Sequence, residues 1–320
     1  MKLFFVALLA TCGIAVGSLF VGVSDISLFA LLNGRADEKM LMVLAGSRVP
    51  RTLALVLAGA GMAVAGTIMQ MLSRNRFVEP STAGTVESAS LGMLAVLLLA
   101  PDLPVMMKML VAALFALAGT GLFLAILQRV PLRSPVLVPL VGLMLGGVIN
   151  ACTTFFAYRY DLMQAMGAWT SGDFSAVLRG RYEVLWVALA LTAAAYVAAD
   201  RFTVAGMGEE FSANLGLDYR KVVALGLVIV SLVTASVVVT AGILPFIGLI
   251  VPNLVSIAMG DRLRHTLPWI AVSGAALVLV CDTLGRIINA PYEIPVGSVL
   301  GVIGSVFFLN ILLQRRFRAA

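Results

Sequence analysis

Few side chains in this sequence could do chemistry, and their placement limits what that chemistry is. Only 16 of 320 residues are acidic, and His265 is the single histidine. Asp282 stands in the apolar run Leu277-Val278-Leu279-Val280-Cys281, with Arg286 four residues on. A charge near a bilayer centre costs roughly 2.5–3.5 kcal/mol on insertion scales, and on a helix the i,i+4 neighbour is the nearest relief. Asp282 and Arg286 therefore read as a structural intramembrane pair; a proton relay would need a chain of titratable groups, and His265 falls in a loop. Elsewhere the segment Gly208-Glu209-Glu210-Phe211-Ser212-Ala213-Asn214-Leu215-Gly216-Leu217-Asp218 reads as a short helix in a loop. Carboxylates at Glu209 and Glu210 suit a helix N-terminus, and Gly216 is placed to end it. The alternative is a solvated loop with a frayed helix.

Enzymatic constellations are missing. The sequence has no His-Glu-x-x-His pair and no Gly-x-Ser-x-Gly elbow, and it lacks a Gly-x-x-x-x-Gly-Lys-Ser/Thr phosphate loop. Cys12, Cys152 and Cys281 are far apart, each in an apolar run, which suggests neither a disulfide framework nor a metal site.

The elements that must hold these residues are set by composition. Hydrophobic residues make up 61% and charged ones 12%, against about 25% charged in soluble domains. Such a chain cannot cover a water-soluble globule of its size. A span needs about 20 predominantly apolar residues, and runs of that kind predict helices near 2–22, 50–72, 82–100, 105–127, 136–157, 182–200, 221–240, 246–259, 268–287 and 296–314. The fold class is all-α, a polytopic membrane protein of about ten transmembrane helices. Backbone groups in lipid must be satisfied by intrahelical bonds or by a closed barrel, and runs without period-two alternation exclude the barrel. The longest polar connections, 23–49 and 158–181, are too short to bury a core, so residues 1–320 form a single transmembrane domain. Gly59-Ala60-Gly61, Gly146-Gly147 and Gly242-Ile243-Leu244-Pro245 fit close helix packing or the broken helices of transporters.

Ten spans put both termini on one side. With that side cytoplasmic, the inner segments hold 13 of the 22 Lys and Arg residues, a mild positive-inside bias, with Arg315-Arg316-Phe317-Arg318 as the clearest anchor. The net charge of +6 is scattered over short loops and lacks the clustered basic face of a nucleic-acid binder. Met1-Lys2 and the following apolar run resemble a signal sequence, and Leu9-Ala10-Thr11-Cys12 faintly resembles a lipoprotein box. The run is too long for a 7–15-residue signal core and further spans follow it, so it reads as a retained first helix.

Four ordered segments are more specific. The first runs Arg48-Val49-Pro50-Arg51-Thr52-Leu53, through Gly66 and Gln70, to Arg74-Asn75-Arg76-Phe77-Val78-Glu79-Pro80 and Gly84. The second is Gly208 to Asp218. The third is Gly242-Ile243-Leu244-Pro245-Phe246-Ile247-Gly248-Leu249-Ile250-Val251-Pro252-Asn253. The fourth runs Asp282-Thr283-Leu284-Gly285-Arg286, Pro291-Tyr292-Glu293-Ile294-Pro295-Val296-Gly297, Gly301, Gly304 and Phe307-Phe308-Leu309. Over nearly the whole chain this set resembles the FecCD family of binding-protein-dependent permeases, importers of iron siderophores, haem and cobalamin.

The resemblance implies the type II ABC importer permease fold in a bacterial cytoplasmic (inner) membrane, with both termini cytoplasmic. It also implies a second permease, two cytoplasmic ATPases and a periplasmic or lipid-anchored substrate-binding protein as partners. This chain would bind no cofactor, since ATP and Mg belong to the partner ATPase. Gly208, Glu209, Glu210, Leu215, Gly216 and Asp218 match the ATPase-coupling segment, 208–218. Arg48, Arg51 and Arg286 match arginines that meet acidic knobs on the binding protein; the competing reading is that they anchor helix ends at headgroups. Asn75 and Phe77 match one cytoplasmic gate and Ser134 lies near a second, although many relatives read Asn-Pro-Leu where this chain has Asn75-Arg76-Phe77. Val251-Pro252-Asn253, where many relatives carry His after the Pro, resembles the subgroup for catecholate siderophores such as petrobactin, enterobactin and vibriobactin, whose members usually work as heterodimers. The implied function is a permease subunit importing ferric siderophore across the lipid bilayer. The alternatives are a haem or cobalamin permease of the same family, and an ion-gradient-driven secondary transporter, for which Asp282 stands nearly alone as an intramembrane acid.

Overall fold

A computed structural model describes residues 2–22, 37–129 and 137–313. Among these residues the regular structure is entirely helical. In chain order the helices are α1 (Lys2–Phe20), α2 (Glu38–Val43), α3 (Val49–Ser73), α4 (Thr85–Leu99), α5 (Val105–Arg129), α6 (Leu137–Arg159) and α7 (Met163–Thr170). They continue with α8 (Leu185–Val197), α9 (Ala199–Ala205), α10 (Glu209–Asn214), α11 (Tyr219–Ala241), α12 (Ile247–Met259), α13 (Leu263–Ile288) and α14 (Val296–Leu313). Each of the ten apolar runs contains one of these helices. By length and apolarity six described stretches can cross a membrane, and a seventh can if the pair 182–197 and 199–205, bent by 67°, is one span; Thr85–Leu99, Ile247–Met259 and Val296–Asn310 are shorter apolar helices. The expected ten crossings thus correspond to ten helical segments, of which six or seven have spanning length.

The two longest polar connections, 23–49 and 158–181, hold helical structure among their described residues. Asp37 caps α2, its side chain accepting from the Glu38 amide at 2.8 Å, and the run Met40-Leu41-Met42-Val43 carries the helix forward. A π-helical turn, Leu44–Arg48, then leads into α3. Just beyond it, Pro50 cannot donate to the carbonyl four residues back. That carbonyl, on Gly46, instead accepts from the Arg179 amide at 3.1 Å. In the connection 158–181 lies α7. The apolar-run reading also starts α13 at residue 268, whereas it begins at Leu263 and carries Pro268 inside it.

The core is built around α3, most of whose residues are buried. It packs on α8, α11, α12 and α13. Backbone-close approaches set two of these contacts: a Cβ on Gly59 would lie 2.6 Å from the Gly274 carbonyl oxygen of α13, and one on Gly66 would lie 2.2 Å from the Gly248 Cα of α12. Small residues allow this spacing, which van der Waals packing in lipid rewards. α13 runs antiparallel to α3, so that Arg51 meets Asp282, and parallel to α1, where Phe4 packs edge-on against Trp269 at 5.3 Å and Arg286 reaches Ser18. One end of the bundle thus gathers Arg48, Arg51, Asp282, Arg286 and Glu293. The opposite end gathers the exposed pairs Arg76–Asp261 (2.6 Å) and Arg264–Asp200 (2.9 Å) together with α10.

Candidate functional site

At the first end, Asp282 is the hub of a buried ion network. Its Oδ1 accepts from Arg51 Nη2 at 2.7 Å and Nε at 3.1 Å, and its Oδ2 lies 2.5 Å from Arg286 Nη2. The helical i,i+4 geometry of Asp282 and Arg286 follows from their spacing; the second guanidinium comes from α3, 231 residues away in sequence. Arg51 Nη1 reaches Glu293 Oε2 at 2.7 Å. Arg286 Nη1 donates to the carbonyls of Ser18 (2.9 Å) and Val21 (2.6 Å), and Arg48 Nη1 also donates to Val21. These bonds supply the open C-terminal carbonyls of α1, which a helix end leaves without intrahelical partners. The three arginines expected on the outer surface are therefore buried within the chain, at 4–8% exposure. Burial of guanidiniums requires paired carboxylates and hydrogen-bond acceptors; Asp282, Glu293 and the α1 carbonyls provide these, and Arg286 Nε is buried with no hydrogen-bond partner among the described residues.

The gate residues lie where α3 ends. Arg74 takes a left-handed conformation (φ +49°) and closes the helix. Asn75 is buried, its Oδ1 accepting from the Phe77 amide at 2.9 Å. Phe77 is half-buried and meets Phe308 of α14 edge-on, ring centroids 6.0 Å apart. Ser134 lies outside the described residues.

Three side chains fasten this segment to α12. Pro252 leaves the Gly248 carbonyl without its helical donor, and Gln70 Nε2 donates to it at 3.2 Å. Asn253 Nδ2 donates to the carbonyls of Arg76 (2.9 Å) and Leu249 (2.8 Å). Glu79 is fully buried; its Oε1 accepts from the Phe246 amide at 2.8 Å and from the Ser81 hydroxyl, at the N-terminus of α12, where a negative charge is favoured. Thr82 Oγ1 accepts in turn from the Glu79 amide at 2.9 Å. Sequence reasoning quoted Glu79 only as part of a motif. The reading that Asp282 is nearly alone among intramembrane acids is corrected accordingly: Glu79 is buried at 0% exposure, and Glu87 on α4 packs against Gly146 of α6. The signal for Glu79 was the pattern Glu79-Pro80-Ser81-Thr82, a capping box set between two apolar helices.

At the opposite end α10 spans Glu209–Asn214, with Glu209 and Glu210 in its first turn. The Leu217 amide bonds the Ser212 carbonyl at 2.9 Å, and Gly216, at φ +74°, makes the left-handed turn that ends it. Ser212 is fully buried, its hydroxyl donating to Gly208 O at 2.7 Å and Val204 O at 3.2 Å. Sequence reasoning missed this bolt between the elbow and α9, because serine in a loop carries no burial signal. Asp218 caps α11, accepting from the Lys221 amide at 3.2 Å; its carboxylate is held below the ordinary range by the Lys221 side chain and amide. Met207, Phe211 and Leu215 are exposed, and the first two help line a cleft of about 960 Å³ together with Arg74, Gln128, Glu209, Tyr219 and Arg220. A short, bolted helix with exposed apolar and acidic side chains can take a load from another protein.

Comparison with known proteins supplies the family. The model described as the FecCD transport family matches residues 5–314. A petrobactin import system permease protein of Bacillus subtilis (strain 168) is 51% identical over 303 residues, 95% of each chain. A petrobactin import system permease protein of Bacillus anthracis is 42% identical, over 98% of this chain and 92% of the relative. A ferric-anguibactin transport system permease protein of Vibrio anguillarum (strain ATCC 68554 / 775) is also 42% identical, over 93% and 94%. Among solved structures, an inward-facing metal-chelate type ABC transporter superposes with a TM-score of 0.82 at 21% identity, covering 97% of this chain and 98% of that one, which shows a shared fold. With the family match running through all four ordered segments and both charged ends of the bundle, the chain belongs to the FecCD transport family.

Proposed function

We propose that this chain is the membrane-spanning permease subunit of an ATP-binding-cassette importer of ferric siderophore, of the catecholate kind. The observation that carries the reading is the 51% identity to a petrobactin import permease across 95% of both chains. A hemin transport permease of Yersinia pestis is 28% identical, which makes haem the weaker cargo. The protein is not an enzyme: ATP with Mg is hydrolysed on two partner ATPases, which grip the elbow 208–218 on the cytoplasmic side, where both termini also lie. The exposed Met207, Phe211 and Leu215 support that role, because a load-bearing contact needs apolar area as well as charge.

A second permease completes the translocation path as a heterodimer, with Asn75, Phe77 and Ser134 at its cytoplasmic constrictions, where apolar side chains can exclude water. A substrate-binding protein docks at the opposite end, near Arg48, Arg51 and Arg286, its acidic side chains drawn by the guanidiniums there. The experiment is radio-iron uptake in a deletion strain complemented with this chain, supplied with ferric petrobactin, ferric enterobactin or haem. Uptake of a ferric siderophore that stops when the partner ATPase is inactivated is expected. Uptake that persists on an ion gradient without ATP, or that is restricted to haem, contradicts the proposal.

A further inference from the structure

We infer that Glu293 is a built-in competitor at Arg51: an acidic docking partner engages this end of the permease by exchanging its own carboxylate for that of Glu293. The inference rests on the docking reading proposed above and adds to it the residue that has to give way.

Arg51 presents two kinds of edge. Its Nε and Nη2 hold Asp282 Oδ1, whose side chain is fully buried. Its Nη1 holds Glu293 Oε2 at 2.7 Å, and the Glu293 side chain is 26% exposed. Among Arg48, Arg51, Asp282, Arg286 and Glu293, only Glu293 is more than a tenth exposed. The inner edge of the guanidinium is thus committed to the core, and the outer edge is covered by the one member of the network that water reaches.

Two further features make Glu293 the exchangeable member. Its backbone neighbours are pinned, the Ile294 amide to the Gly285 carbonyl at 3.0 Å and the Tyr292 amide to the Asn289 carbonyl at 2.9 Å. A rotation of the Glu293 side chain alone therefore uncovers Arg51. Charge favours a replacement over a vacancy, because Arg51 holds two carboxylates, those of Asp282 and Glu293, and withdrawing Glu293 leaves it with one. An incoming Asp or Glu restores the original count, in the bidentate or end-on geometry a guanidinium accepts. The contact to Glu293 is itself weak in stability terms, since one member is open to solvent and screened by salt. In the free permease it holds Arg51 in place and lowers the fraction of molecules ready to bind an acidic surface.

The test uses the purified full-length chain in detergent and a fluorescent hexaglutamate peptide as probe, with hexalysine as control, read by anisotropy. Glu293→Gln is expected to bind hexaglutamate about three- to tenfold tighter than wild type, by removing the competing occupancy, with the gain lost at high salt. Glu293→Ala is expected to act in the same direction, and adding Arg51→Gln to either variant is expected to abolish the gain. If wild type binds the peptide through Arg51 but the Glu293 variants bind it equally or more weakly, the competitor role is overturned while the docking reading stands. Should neither wild type nor the Glu293 variants prefer hexaglutamate to hexalysine, both fall together.

Discussion

Asp282 sits between two guanidiniums from different helices, and its environment determines what its loss costs. Replacing a buried ion network with apolar groups can be neutral, but removing one partner leaves charges uncompensated, at about 3–5 kcal/mol. Asp282→Ala leaves Arg51 and Arg286 facing each other in the core. The expected result is a large fall in melting temperature of the detergent-purified chain, and an unchanged melt contradicts the network's structural role. Glu79 makes a complementary case. Glu79→Ala strips the partly buried Phe246 amide of its acceptor, at about 1–3 kcal/mol. Glu79→Gln keeps an oxygen there and is expected to retain more stability, with faster amide exchange at the start of α12 as the local readout. Equal exchange in the two variants contradicts the capping account.

Among elements, the elbow and the gate segment differ in how far the sequence reveals them. α10 is legible because its signals are local: two carboxylates at the start and a glycine at the end sit within eight residues. The gate segment is not, because its fixing bonds come from α12, over 170 residues further along the chain. Arg51 misleads for the same reason: at the start of an apolar helix it reads as a surface arginine, and only the antiparallel packing of α13 on α3 brings Asp282 to it. The helices themselves follow from apolar runs, whereas the π-helical turn before Pro50 and the 67° bend between α8 and α9 depend on how the chain packs.

The elbow makes its own prediction. Gly216 adopts φ +74°, where a side-chain-bearing residue is strained by roughly 1–2 kcal/mol. Gly216→Val, and the charge reversal Glu209→Lys with Glu210→Lys, are expected to reduce co-purification of the ATPase several-fold while leaving the membrane-inserted permease at wild-type abundance. Unchanged co-purification contradicts the coupling role.

At the scale of the whole molecule, the two ends of the bundle are chemically distinct. One holds a buried network whose arginines cap α1 and bind α3 to α13; the other carries exposed ion pairs and a rigid elbow beside a cleft. α3 connects them, from Arg51 at its start to the gate segment at its end, and its close contacts with α12 and α13 make it a stiff member between the two faces. An importer needs this separation, because cargo is delivered on one side of the membrane and ATP acts on the other.

The orientation of that axis is the central claim, and Leu215 tests it most directly, being exposed on the elbow. In a variant with Cys12, Cys152 and Cys281 replaced by serine, Leu215→Cys provides a single thiol for a membrane-impermeant maleimide. The account predicts no labelling in intact cells, labelling in inside-out vesicles, and protection there when the partner ATPase is bound. Labelling of that cysteine from outside intact cells would contradict the account.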